Sequence, residues 1–221
     1  MSTASDKMSG HVRRAALSRG HSHLELEWRV GHQQDTFRAG VDPKAWHRLK
    51  SCLDASPAFT GSTRVCTERI GGSKRRKVRF DAATGQWVEK ERLADVLRHQ
   101  SADGGRCPWA VRASLSTEVP CAPGDPDQLE YERHKERWSY SHACWSIDLT
   151  KVRSNLPSHL DNDTWSYEVE VELADPGMLL ERTVEHLVEW GWRIAGEVCD
   201  MMVAPPPPLP PPPPLPPPPH P

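Results

Sequence analysis

Two stretches of the chain set carboxylates on every second residue. HLELEWRV carries Glu25 and Glu27, and SYEVEVEL carries Glu168, Glu170 and Glu172. In an extended strand, alternate side chains share a face about 6.8 Å apart, and like charges held so repel unless a cation lies among them. If the two strands are neighbours, Glu25, Glu27, Glu170 and Glu172 form a compact patch of hard oxygen donors, the kind that suits Mg²⁺ or Mn²⁺. A third stretch, ERHKERWSY, puts Arg133, Lys135 and Arg137 on one face. Three cations in a row answer to a polyanion. Metal-binding carboxylates opposite a bank of bases describe a triphosphate site, where both neutralise the phosphoryl oxygens as the leaving-group bond breaks.

The elements that must position these groups follow the same parity. In WAVRASLSTEVP, Arg112, Ser114, Ser116 and Glu118 oppose Val111, Leu115 and Val119; in CWSIDLTKV, Ser146, Asp148 and Thr150 oppose Trp145, Ile147 and Leu149. A half-buried sheet with one solvated face explains alternation, but such a face would mix both signs on each strand. Polar faces from many strands converge when the sheet closes with its polar side inward, giving a tunnel whose apolar outer wall needs covering. Seven to nine short strands between residues 22 and 173, separated by turn signals, fit an antiparallel sheet or barrel. Two helices are expected as the cover. One is capped by Asp42 with Pro43 at its first position and carries Trp46, Leu49 and Leu53. The other is capped by Asp175, starts at Pro176 and runs to about Cys199, with Leu179, Leu180, Val184, Leu187, Val188 and Ile194 on its stripe. The fold class is therefore mainly β (α+β), a closed antiparallel barrel with a polar lumen and helices outside.

The 28 basic and 30 acidic side chains nearly cancel, so the position of charge matters more than its sum. The chain divides into a disordered N-terminal segment over 1–20, a catalytic domain over 21–200 and a tail over 201–221. Of 22 prolines, 14 lie in residues 205–221. That tail lacks backbone donors and is expected as polyproline II, a candidate ligand for a proline-binding domain. No apolar run approaches the roughly 20 residues of a membrane span, so no membrane partner is expected. The six cysteines show no CxxC pairing and read as free thiols, and His21 with His23 reads as exposed rather than as a zinc site.

With these motifs in order, the chain resembles the metal-dependent RNA 5′-triphosphatases of fungal and protist mRNA capping, the triphosphate tunnel enzymes. HLELEWRVG is similar to the first metal strand, RKVRFDAATGQWVEKERLADVL to the arginine strand with its following lysine, RASLSTEVP to the strand with a catalytic glutamate, and YEVEVEL to the second metal strand. RHKERWSY followed by WSIDLT is the most specific pairing. The resemblance implies a closed eight-stranded barrel and hydrolysis of the γ-phosphate of triphosphate-ended RNA to a diphosphate end. Glu25, Glu27 and Glu172 would hold Mg²⁺ or Mn²⁺, with Glu170 joining directly or through water. Arg79, Lys90, Arg112, Arg133, Lys135, Arg137 and Thr150 would serve the phosphates. Glu118 would position the attacking water, and Asp148 would support the site alongside the three bases of its neighbouring strand.

Two residues depart from the family pattern: Arg29 stands where lysine is usual, and Ser146 where arginine precedes IDLT. No KxDG nucleotidyl-transfer motif occurs, so a guanylyltransferase is expected as a separate chain, and a second copy of this chain is a further candidate partner. Nuclear localisation is expected with a capping role. The basic SKRRKVR run is read as a strand, because Lys77 and Arg79 share a face. An inorganic tripolyphosphatase or small organic triphosphatase would use the same metal and bases, and a silent proline-rich adaptor is the alternative of a different class.

Overall fold

Period-two alternation becomes nine strands. A computed structural model of the chain describes residues 3–73, 75–99, 108–155 and 165–203. The strands are β1 (Leu24–Gln33), β2 (Phe37–Ala39), β3 (Thr60–Gly72), β4 (Arg76–Asp81), β5 (Gln86–His99), β6 (Ala110–Pro120), β7 (Tyr131–His142), β8 (Trp145–Ser154) and β9 (Ser166–Leu173). The helices are α1 (Ala4–Arg19), α2 (Pro43–Ala55), α3 (Met178–Glu181) and α4 (Val184–Val203). The sheet order is β2-β1-β6-β5-β4-β3-β7-β8-β9, and β1 also pairs with β9. Eight antiparallel strands thus close into a barrel, with β2 added as a flap on β1. At the seam Glu27 lies opposite Glu172 and Arg29 opposite Glu170, the adjacency that the two acidic strands require. Beyond the seam β1 leaves β9 for β2, which passes so near that a Cβ on Gly31 would lie 2.9 Å from the Ala39 Cα.

The apolar faces of β1, β6, β8 and β9 form the core together with α4, flanked by α1 and α2. Trp28 sits fully buried at its centre, edge-on to Trp145 at 5.4 Å and to Trp192 at 6.2 Å. Such edge-to-face pairs add to the large area each ring removes from water. Trp46 of α2 makes a second cluster with Trp138 and Tyr167 at 5.3 and 5.5 Å. The outer face of β3 lacks such cover: Val65 is 57% exposed and Arg69 pairs there with Asp127 and Glu132.

Several expectations change. Residues 4–19, expected to be disordered, form α1, with a Thr3–Asp6 capping box and buried Met8, Val12 and Ala15 packed toward α4 and β5. That narrow stripe is too sparse to announce itself in composition, yet it suffices once a helix groove receives it. The final helix is interrupted. α3 ends at Glu181, and Thr183 caps the start of α4 through its Oγ1, which accepts the His186 N–H. Leu180, expected on the apolar stripe, is 73% exposed as a result. Asp42 does cap α2, accepting from the Ala45 N–H, with Pro43 at its first position. A register shift between Arg92 and Ala94 turns Asp95 inward, where it accepts a hydrogen bond from Ser114. Among the described residues, Cys52, Cys66, Cys121, Cys144 and Cys199 form no disulfide. No helix among the described residues is long and apolar enough to cross a membrane. The polyproline tail from residue 204 onward lies outside the described residues.

Candidate active site

The inward residues of β1 and β9 supply the acids. Glu27 and Glu170 are 3% and 4% exposed, and Arg29 lies between them, its Nε 3.0 Å from Glu27 and its Nη2 2.9 Å from Glu170. Burial alone would raise the pKa of both carboxylates. Arg29, with Lys90 for Glu27 and Arg137 for Glu170, outweighs burial, so Glu27 lies below the usual value and Glu170 falls to about 2. The other two glutamates behave oppositely. Burial together with Glu25, Asp148 and Glu170 pushes Glu172 up to about 8. Burial and Glu27 push Glu25 up to about 7, against the pull of Lys90, with which it pairs.

The cations come from β4, β5 and β7, and each is held by an acid. Lys135 Nζ lies 2.5 Å from Glu68, which also approaches Arg79 at 3.7 Å. Glu118 takes Arg79 at 3.1 Å and Lys90 at 3.3 Å. Arg137 is fixed twice, by Asp148 at 2.8 Å and by donating from Nε to the Thr150 hydroxyl at 3.1 Å. Ser146, at the position where an arginine was expected, donates to Asp148 at 2.6 Å. Arg133 pairs with Glu168 at 2.6 Å. Burial and the neighbouring Arg133 lower the Lys135 pKa despite Glu68. Lumen cavities of about 100 and 130 Å³ share Glu68, Arg79 and Lys135 in their linings. The smaller one also borders Glu27, Arg29 and Lys90, so acids and bases from opposite walls face one space.

The inward-facing assignments from parity and resemblance fall on the lumen side, with Arg112 apart at one end, its guanidinium 4.7 Å above the Phe37 ring. Three participants were not foreseen as site residues: Glu68, which orders Lys135; Arg29, which bridges two of the glutamates; and Glu168, the partner of Arg133. Glu68 lacked a signal because β3 is wetted outside. Its inward row includes Cys66 and Ile70 and its outward row Thr67 and Arg69, so polarity does not tell the faces apart. Glu25, Glu27, Glu170 and Glu172 offer hard oxygen donors. Among the described residues, no three Asp, Glu, His or Cys side chains converge as they stand on a point that would hold an ion. Arg29 and Lys90 draw Glu27 and Glu25 toward themselves instead. A larger cavity, about 410 Å³, lies outside the barrel beside α4 and Arg98 and borders none of these groups.

Residues 68–185 match the family described as mRNA capping enzyme, beta chain. The chain is 26% identical over 176 residues to a 5′ RNA triphosphatase of Paramecium bursaria Chlorella virus 1, covering 79% of this chain and 88% of the viral protein. Its fold is similar to S. pombe Pct1 RNA triphosphatase, with a TM-score of 0.72 at 18% identity over 89% of this chain and 92% of that one. It is also similar to the RNA triphosphatase domain of a trifunctional mimivirus mRNA capping enzyme, with a TM-score of 0.58 at 14% identity over 92% and 100%. At such identities the structural likenesses speak for the tunnel fold.

Proposed function

The chain belongs to the mRNA capping enzyme beta-chain family, and from that premise we infer that it removes the γ-phosphate from 5′-triphosphate-ended RNA, leaving a 5′-diphosphate end, the first step of cap formation. It is an RNA 5′-triphosphatase, a phosphoric anhydride hydrolase. The observation that carries this reading is the interleaving of charge in the lumen: Lys135, Arg79, Lys90 and Arg137 are each held in place by a carboxylate before any substrate arrives. Cations oriented in advance need no reorganisation when charge moves onto the leaving oxygen.

The family is one of metal-dependent tunnel enzymes, and Mg²⁺ or Mn²⁺ is the ion we propose. Glu25, Glu27 and Glu172 would hold it, with Glu170. The donor set fits, because burial and mutual repulsion leave Glu25 and Glu172 reluctant to ionise, and a divalent cation relieves that repulsion. When bound, the ion supplies Lewis-acid stabilisation of phosphoryl oxygens. Lys135, Arg137, Arg79, Lys90 and Arg133 bind the phosphate oxygens. Asp148 and Thr150 orient the Arg137 fork through its two fixed contacts. Glu118 holds Arg79 and Lys90, and is the carboxylate that orients the attacking water. The diphosphate product is the substrate a guanylyltransferase on another chain would consume, and the proline-rich tail is the segment proposed to dock on a proline-binding domain.

Phosphate release from γ-labelled triphosphate-ended RNA, tripolyphosphate and ATP, each with Mg²⁺ or Mn²⁺, tests the proposal. RNA is expected to have the highest kcat/KM. Turnover of tripolyphosphate far above RNA would overturn the capping assignment.

A further inference from the structure

The two mouths of the barrel gather different charges, bases at the flap end and acids at the other. Where the β2 flap sits, the lumen opens among Arg75, Lys77, Arg92 and Arg112, beyond Arg29 and Arg133. Among the acids paired with these cations are Glu168, taken by Arg133; Asp95, 3.4 Å from Arg92 and 3.9 Å from Arg112; and Glu91, 3.7 Å from Arg75 and shared with Arg19. At the opposite end, where β4 turns into β5, Glu25, Glu118, Glu172 and Asp81 face inward, and the cations there are bound: Lys90 by Glu25 and Glu118, Arg64 by Asp81 and Arg137 by Asp148. Burial, with Arg92 and Arg29 beside it, presses the Arg112 pKa down against the pull of Asp95.

The flap mouth also carries aromatic rings. Phe37 pairs with Gln33 on the flap and stacks 4.7 Å from the Arg112 guanidinium, while the Tyr131 hydroxyl lies 3.4 Å from Lys77. Cations along a path with rings at its rim are the combination that grips single-stranded nucleic acid, charge tracking the phosphates and rings stacking the bases. From Glu27 to Gln33, six residues along β1, is about 20 Å of strand, or on the order of 15 Å along the axis of a barrel with tilted strands. That is the span of an extended 5′-triphosphate and its first nucleoside.

Resting on the reading above, we propose that the tunnel is polar: RNA is held with its γ-phosphate toward the Glu25–Glu172 end, its chain leaves through the flap mouth, and its first base stacks on Phe37 beside Arg112. The inference goes beyond the activity because it fixes the direction of the substrate and assigns a site that sees RNA and not tripolyphosphate.

The test compares a short triphosphate-ended RNA with tripolyphosphate on the full chain. Phe37→Ala and the double variant Arg75→Ala/Arg92→Ala are made at the flap mouth, and Arg64→Ala serves as the opposite-mouth control. Phe37→Ala is expected to raise KM for RNA about fivefold or more, the low end of base stacking, and to leave tripolyphosphate kinetics within twofold. The double variant is expected to flatten the log–log salt dependence of RNA kcat/KM by about one unit, since each neutralised single-strand phosphate contributes roughly 0.7. Equal effects on both substrates, or an RNA-selective loss from Arg64→Ala instead, would overturn the polarity while leaving the activity intact. Absence of RNA turnover by the unmodified chain would sink both readings.

Discussion

Glu68 offers the sharpest test of how the lumen is held together. Its side chain is 8% exposed and pairs with the 7%-exposed Lys135 at 2.5 Å. Glu68→Ala strands a buried ammonium beside Arg133 and Arg137, which already depress its pKa alongside burial. Breaking one side of a buried pair costs about 3–5 kcal/mol. A second route gives a similar ceiling. Lys135 can shed its proton, and neutralising it at pH 7 from an ordinary pKa of about 10.4 costs roughly 4–5 kcal/mol at about 1.4 kcal/mol per unit. Denaturant unfolding at pH 7 should therefore show a loss of about 3–5 kcal/mol for Glu68→Ala. Much of that loss should be recovered in Glu68→Ala/Lys135→Met, because both charges are then gone. Phosphate release should fall steeply in both variants, since Lys135 loses its anchor or its proton in one and is absent from the other. A Glu68→Ala protein within 1 kcal/mol of the parent and fully active would refute the idea that this pair organises the site.

Four further outcomes are expected. Gly191→Ala should lower stability by about 1–3 kcal/mol, although alanine favours helices by about 1 kcal/mol, because the new methyl lies 2.6 Å from Trp28 Cζ3 and closer to two other ring carbons; an unchanged or higher denaturation midpoint would contradict this. Glu172 and Glu25 have folded pKa values raised to about 8 and about 7 over an ordinary 4.5, so the folded state binds the extra protons. In EDTA, stability should then decline as pH climbs from about 4.5 through about 8, and Mg²⁺ should raise Tm more at pH 8.5 than at pH 6; a Tm in EDTA that rises over this range would reverse the sign. Glu172→Gln should abolish metal-dependent turnover while leaving the EDTA-treated protein at least as stable as its parent, measured by phosphate release alongside thermal unfolding. Deletion of residues 205–221 should leave turnover on RNA unchanged, and a large fall in kcat would assign the tail a catalytic contribution.

Much of the chemistry was legible because strand parity is local. Glu170 and Glu172, or Lys135 and Arg137, share a face in any extended conformation, whatever the rest of the chain does. The α2 start was legible for the same reason, since Asp42 and Pro43 act within one turn. The α1 helix was less so: Met8, Val12 and Ala15 form a stripe too thin to stabilise a helix in isolation, and packing toward α4 and β5 supplies the rest. The break before α4 depends on Thr183 capping a new helix where apolar periodicity runs on.

Residue types and their alternation thus determined the donors, the bases and the inward face of most strands. Tertiary structure alone decided which strands meet and in what register. Closure of β1 on β9 puts Glu27 against Glu172, and a slip by one residue would have turned the carboxylates of one of the two strands outward. It likewise decided that Arg29 ties Glu27 to Glu170, that Glu68 faces in, and that Arg75, Lys77, Arg92 and Arg112 gather at the flap mouth. Those facts join residues far apart in the chain, and a period-two pattern holds no information about the partner strand across a barrel.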